Sequence, residues 1–67
     1  MDKEELKQVV HDIVGGQGSP ITAHGVFQIV KSDYSEVTFD EVKEAVKALA
    51  ESGFLVDSAE KAYFAVG

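Results

Sequence analysis

Apolar residues recur along the first part of the chain with the period of an α-helix. Five of them share one stripe of such a helix: Leu6, Val9, Val10, Ile13 and Val14. Asp2 and Glu5 have the spacing of a capping box, and Gly15-Gly16 is a typical helix stop. The pattern predicts a first helix over residues 3–14.

A loop of helix-breaking residues, 15–20, separates this helix from a second one. Ile21 follows the loop and is expected to form a short bridging strand. Thr22 is a candidate N-cap for a helix over residues 23–31. Its apolar set is Val26, Phe27, Ile29 and Val30. Gly25 inside this helix costs about 1 kcal/mol relative to alanine.

The third helix has the most distinct end signals. Thr38 and Glu41 repeat the capping-box spacing, and Val37 and Val42 can form the flanking hydrophobic staple. Gly53 is expected to close the helix at its C′ position. The buried face is predicted to consist of Phe39, Val42, Val46 and Leu49.

Two short apolar runs at the C-terminal end predict a β-hairpin, with strands over 54–56 and 62–66 and a polar turn over 57–61. By alternation, Leu55 and Phe64 are expected to point inward. The open face would then carry Phe54, Val56, Tyr63 and Ala65. The alternative is that these side chains wrap the edge of a small core.

The predicted order is helix, short strand, helix, helix and hairpin, which is typical of a winged helix-turn-helix of the α+β class. The hairpin would be the wing, and Ile21 would add a third strand to it. The 67 residues allow one domain over 1–67.

The composition of the chain limits the classes of function that it can have. The chain has 12 acidic and 6 basic residues, a net charge of −6, and no cysteine. The lack of cysteine excludes disulfides and thiolate chemistry, and no apolar run approaches the roughly 18 residues of a membrane span. We therefore expect an intracellular domain that does not bind membranes.

No catalytic or metal-binding pattern emerges from the sequence. His11 and His24 belong to different predicted helices and lack the spacing of metal ligands. The glycine-rich loop at 15–19 follows a helix and has no lysine after it, unlike a phosphate-binding loop. We expect a non-catalytic domain with no cofactor, metal or small-molecule substrate.

The charges of the third helix disfavour direct DNA binding. Its exposed residues are predicted to be four acids and two lysines: Asp40, Glu41, Lys43, Glu44, Lys47 and Glu51. Phosphate contacts supply most non-specific DNA affinity, so DNA would be repelled by this helix. The alternative function, a small DNA-binding transcription regulator, would use Lys43, Lys47 and Lys61.

An acidic surface beside apolar hairpin residues is suited to a basic amphipathic helix, so we expect a protein–protein interaction module. A purely structural domain without any ligand is a third possibility.

One stretch, Val42 to Leu55, contains the pattern Ala-Val-x-x-Leu-x-x-x-Gly, and the pair Tyr63-Phe64 follows it. These residues resemble the C-terminal winged-helix domain of the middle subunit of replication protein A. The resemblance implies binding of helical segments of DNA-repair and replication proteins at the wing and the end of the third helix. The matching positions here are Glu51, Ser52, Phe54, Val56, Asp57 and Glu60, and Tyr63 completes the predicted site. The family has an acidic residue at the position of Ser52 and an aromatic one at Val56.

Overall fold

The computed structural model describes residues 2–57 and 62–65. In this part of the chain, three helices and a three-stranded antiparallel sheet form an α+β fold. The elements are α1 (Lys3–Gly16), β1 (Ile21–Thr22), α2 (Ala23–Asp33), α3 (Phe39–Glu51), β2 (Leu55–Asp57) and β3 (Ala62–Ala65). The strand order is β1-β3-β2. The predicted order of elements is confirmed.

The two ends of α1 differ from the prediction. Asp2 is the N-cap residue, but its side chain makes no capping hydrogen bond, so the predicted capping box with Glu5 is wrong. At the other end, α1 continues through both glycines, and Gln17 caps it. Gly15 lies against Ala65 of β3, so packing on the sheet accompanies this longer helix. The left-handed conformation occurs later, at Gly18 (φ 71°).

The start of α2 is confirmed. The Thr22 hydroxyl accepts a hydrogen bond from the backbone N–H of Gly25 over 3.1 Å. A Cβ added at Gly25 would lie 2.9 Å from Cγ1 of Ile21, so β1 packs closely on the first turn of α2. This close approach explains a glycine inside the helix. The helix runs to Asp33, two residues beyond the predicted end.

The capping box of α3 is present as predicted. The backbone N–H of Glu41 donates to the Thr38 hydroxyl oxygen over 3.3 Å. In return, the backbone N–H and the hydroxyl of Thr38 donate to the Glu41 carboxylate, over 3.0 and 3.1 Å. These hydrogen bonds, the backbone one first, lower the pKa of Glu41 below its ordinary value of 4.5.

The C-terminal end of α3 is a Schellman motif. Gly53 adopts φ 85° and donates its N–H to the carbonyl of Ala50 over 3.2 Å. Phe54 donates its N–H to the carbonyl of Leu49 over 2.9 Å. These are the two hydrogen bonds that define the motif, so the prediction for Gly53 is confirmed.

Small aliphatic side chains dominate the core. The largest fully buried side chains are all valines: Val10, Val26, Val30, Val42 and Val46. Phe39 is 36% exposed, so its predicted place on the buried face of α3 is wrong. As the first residue of the helix it lies at the edge of the core, where its ring contacts the ring of Phe27.

The register of the hairpin overturns part of the predicted alternation. Val56 pairs with Phe64, and both are 39% exposed on the outer face. Leu55, Tyr63 and Ala65 belong to or pack against the core. Phe64 therefore faces outward, opposite to the prediction, because it pairs with the outward-facing Val56, while the inward-facing Leu55 pairs with Ala65. The predicted turn residues 58–61, which include Glu60 and Lys61, lie outside the described residues.

Candidate interaction surfaces

Three of the four phenylalanines are exposed, whereas the core is built from valine and leucine. Phe54 is 55% exposed, Phe64 39% and Phe39 36%, and Phe27 is half-buried. Aromatic side chains contribute strongly to binding when an interface covers them. Their positions therefore define where a partner could bind.

A shallow groove of about 480 Å³ runs between α1 and α3, and we call it the α1–α3 groove. Its apolar lining includes Leu6, Ala45 and Ala48. Its charged lining contains three acids and three lysines: Lys3, Lys7, Glu41, Glu44, Lys47 and Glu51. The groove thus combines an apolar floor with a rim of balanced charge.

Phe54 borders a smaller hollow at the C-terminal end of α3. Its ring meets the His11 ring edge to face, with centroids 6.0 Å apart and an interplanar angle of 87°. Ala48, Leu49 and Ser52 of the α3 end line the same hollow. The Schellman motif holds the backbone of Phe54, and the His11 ring contacts its side chain.

The six described residues of the predicted partner site lie at three places on the surface. Ser52 and Phe54 share the hollow at the end of α3, and Glu51 lies beside them on the rim of the α1–α3 groove. Val56 lies on the outer face of the hairpin with Phe64. The remaining described residues, Asp57 and Tyr63, line a hollow beside the first half of α3.

Lys43 and Lys47, which the DNA-binding alternative requires, line that same hollow beside α3. Three acidic residues line the same hollow: Asp40, Glu44 and Asp57. The described lysines of α3 are therefore set among acids, which weakens any attraction to phosphate.

A cluster of rings at the α2–α3 corner was missed by sequence reasoning. The ring centroids of Phe27 and Phe39 are 5.6 Å apart, and that of His24 is 5.8 Å from Phe39. Lys31 Nζ lies 5.5 Å from the Phe27 centroid, and Lys43 Nζ lies 5.6 Å from that of Phe39. We call these five residues the aromatic–lysine patch. The spacing of His24, Phe27 and Lys31 along one face of α2 is the signal that could have revealed it.

No group of metal ligands and no membrane-spanning helix is found among the described residues. Among residues 2–57 and 62–65, no three histidine or acidic side chains come together in a way that could hold a metal ion. In the same part of the chain, no helix combines the length and the apolar character needed to cross a bilayer.

Comparison with known proteins adds no relative. No protein-family model matches the chain, and no curated protein or solved structure is significantly similar to it. The function is therefore inferred from these surfaces.

Proposed function

We propose that this chain is a non-catalytic winged-helix module that recruits a protein partner through the α1–α3 groove and Phe54. The order of elements and the three-stranded antiparallel sheet support this arrangement. In it, α2 and α3 are the helix-turn-helix, and β2 with β3 is the wing.

The observation that carries the proposal is the exposure of Phe54. It is the most exposed large apolar side chain of the described residues, at 55%, yet its backbone is held by the Schellman hydrogen bond to Leu49. A rigid aromatic side chain loses little conformational entropy on binding, which is why such residues dominate interface energetics. Phe54 is therefore the expected anchor of the partner.

The proposed partner is a basic amphipathic helix. Its apolar face would lie over the groove floor, where Leu6 and Ala45 are already buried and Ala48 is half-buried, and would reach the exposed Phe54 ring. Glu44 and Glu51 would meet its cations. Since the charge of the groove rim is nearly balanced, attraction over longer distance comes from the net charge of −6 of the whole chain. A role in DNA replication or repair rests only on the sequence resemblance.

A direct role in DNA binding is less well supported. Lys43 and Lys47 share a hollow with Asp40, Glu44 and Asp57, and Lys7 forms an ion pair with Glu4 at 3.3 Å. DNA affinity grows with the number of phosphates that cations neutralise. The described residues offer too few free, grouped lysines for that.

The test is an NMR chemical-shift titration of labelled protein with a synthetic amphipathic helix made of leucine, lysine and alanine. We expect shifts at His11, Ala48, Ser52 and Phe54. A short DNA duplex, titrated at the same salt concentration, should leave these signals unchanged.

Phe54→Asp should weaken binding of the helical peptide by about 30-fold, the loss typical of an interface hot spot. Phe64→Asp is the matched control, because it makes the same change at an exposed phenylalanine of the outer hairpin face. Both variants are first shown to be folded by the dispersion of their NMR spectra. Equal losses in the two variants, or stronger shifts with DNA than with the peptide, would refute the proposal.

A further inference from the structure

Acidic residues are distributed unevenly along the chain. Residues 13–32 contain none, although the whole chain has 12. This range covers the end of α1, β1 and nearly all of α2. The exposed charged or titratable side chains of α2 before Asp33 are His24 and Lys31 alone. The α2 side is therefore the least acidic part of an otherwise acidic surface.

The aromatic–lysine patch lies at the edge of this acid-free range. Its two ammonium groups each lie over an aromatic ring, and neither forms an ion pair within the described part of the chain. Lys31 lies within the acid-free range, whereas Lys43 also lines the hollow that contains Asp40, Glu44 and Asp57, so Lys31 is expected to be the stronger contact for an anion. The rings of Phe27, Phe39 and His24 provide an apolar contact surface between the two ammonium groups.

We propose that the aromatic–lysine patch is a second interaction surface that binds an acidic peptide segment with an aromatic side chain. Carboxylates on either side of that side chain would contact Lys31 and Lys43. The aromatic ring would pack against Phe39, which is 36% exposed. Local charge complementarity selects this partner, because the five patch residues include two lysines and no carboxylate. Repulsion from the net charge of −6 of the whole chain is largely screened by salt beyond about 10 Å.

A short acidic peptide also fits better than a nucleic acid. Beyond Lys43, the surface continues into the hollow lined by Asp40, Glu44 and Asp57. A phosphate backbone that followed α3 would pass these three carboxylates, whereas a short peptide segment can end before them. The number of lysines, two, also matches a few carboxylates rather than a long run of phosphates.

This surface is distinct from the α1–α3 groove. Phe39 and Lys43 point to one side of α3, whereas Glu41, Ala45 and Ala48 face α1 from another side. The proposal therefore does not depend on the function proposed above. The domain would hold a basic partner on one side of α3 and an acidic partner on the other.

The test uses a synthetic peptide of aspartate and glutamate with one central phenylalanine, and the same peptide with serine in place of that phenylalanine. In an NMR titration, the phenylalanine peptide should shift His24, Phe27, Lys31, Phe39 and Lys43 and leave Ser52 and Phe54 unchanged. The serine peptide should bind several-fold more weakly. Shifts confined to other residues, or no shifts, would overturn the proposal.

The double variant Lys31→Glu/Lys43→Glu should weaken binding of the phenylalanine peptide by about tenfold, as expected for the loss of two exposed ion pairs. Lys3→Glu/Lys7→Glu is the control, since it changes the net charge equally at the α1–α3 groove. Equal weakening of peptide binding by both double variants would show that the peptide responds only to the net charge of the protein. If single-stranded DNA shifts the NMR signals of the patch residues more strongly than the peptide does, the partner of the patch is a nucleic acid and the peptide proposal is wrong.

Discussion

α1 and α3 are amphipathic helices of 14 and 13 residues that pack against each other, and their ends are held in different ways. α3 begins at a reciprocal capping box and ends at a Schellman motif. α1 begins at Asp2 without a side-chain capping bond, and two glycines form its last turn. A capping box and a Schellman motif therefore define the ends of α3, whereas α1 begins without a side-chain cap.

This difference bears on function, because two exposed phenylalanines lie at the ends of α3. Phe39 is its first residue, and Phe54 directly follows Gly53, whose left-handed conformation ends the helix. Both proposed anchors are thus attached to the helix with the better-defined ends. The hydrogen bonds at the two ends of α3 therefore also position the backbone of its candidate binding residues.

Truncation of a core leucine should reduce stability more than the changes at the helix ends, and by a similar amount in α1 and α3. Leu6 and Leu49 are 3% and 6% exposed and anchor α1 and α3 in the same core. Leu6→Ala and Leu49→Ala should each lower the free energy of unfolding by about 2–5 kcal/mol. Urea unfolding measures this quantity. A loss below about 1 kcal/mol for Leu6 alone would show that α1 contributes little to the core.

Replacing a glycine with alanine at the C-terminal ends of α3 and α1 should change the stability of the protein in opposite directions. Gly53→Ala forces a left-handed conformation on a residue with a side chain and should cost about 1–2 kcal/mol. Gly16→Ala, in open space at the end of α1, should instead stabilise by up to about 1 kcal/mol. Thermal unfolding of the two variants compares them directly. A gain in stability for Gly53→Ala would contradict the role assigned to the Schellman motif.

Alanine substitutions at the N-caps of α3 and α1 should differ less in their cost to stability than those at the C-terminal ends. Thr38→Ala removes the hydroxyl that accepts the Glu41 N–H and should cost about 1 kcal/mol. Asp2→Ala removes only an attraction to the helix dipole and should cost at most about 0.5 kcal/mol. Urea midpoints at neutral pH distinguish these values. Equal costs would mean that Asp2 caps α1 in solution as Thr38 caps α3.

The smallest effect is a pH dependence of the α3 capping box. Because the folded pKa of Glu41 is lowered, its contribution to stability is present above its ordinary pKa of 4.5. This contribution is lost as the pH falls through the lowered folded value. Glu41→Gln keeps an acceptor for the Thr38 bonds but does not titrate. The difference between the urea midpoints of the two proteins should therefore stay constant well above pH 4.5 and shrink as the pH falls below it. A constant difference would show that Glu41 does not titrate abnormally.

The fold was predicted well where the signal lies within a few residues. The caps at Thr22 and Thr38 and the end at Gly53 are confirmed because each depends on hydrogen bonds between near neighbours in sequence. The end of α1 was mispredicted because glycine only permits a left-handed conformation and does not require it. A Cβ added at Gly15 would lie 3.8 Å from Cβ of Ala65, so residues far apart in sequence are neighbours here, which periodicity cannot show.

The candidate site was predicted less well than the fold. Alternation assigned Phe64 to the core, because the alternation of one strand does not reveal which residue of its partner strand it faces. Helical periodicity likewise assigned Phe39 to the core, although this first residue of α3 lies at the core edge, 36% exposed, and its ring contacts that of Phe27.

By itself, the sequence determined the order and type of the elements, the capping box of α3 and the glycine that ends it, because neighbouring residues suffice to form these features. Only the tertiary structure decided which phenylalanines reach solvent, because exposure depends on the register of β3 against β2 and on the packing of α2 against α3. It also separated Phe54, Val56 and Tyr63 into different surfaces and brought His24, Phe27 and Phe39 together.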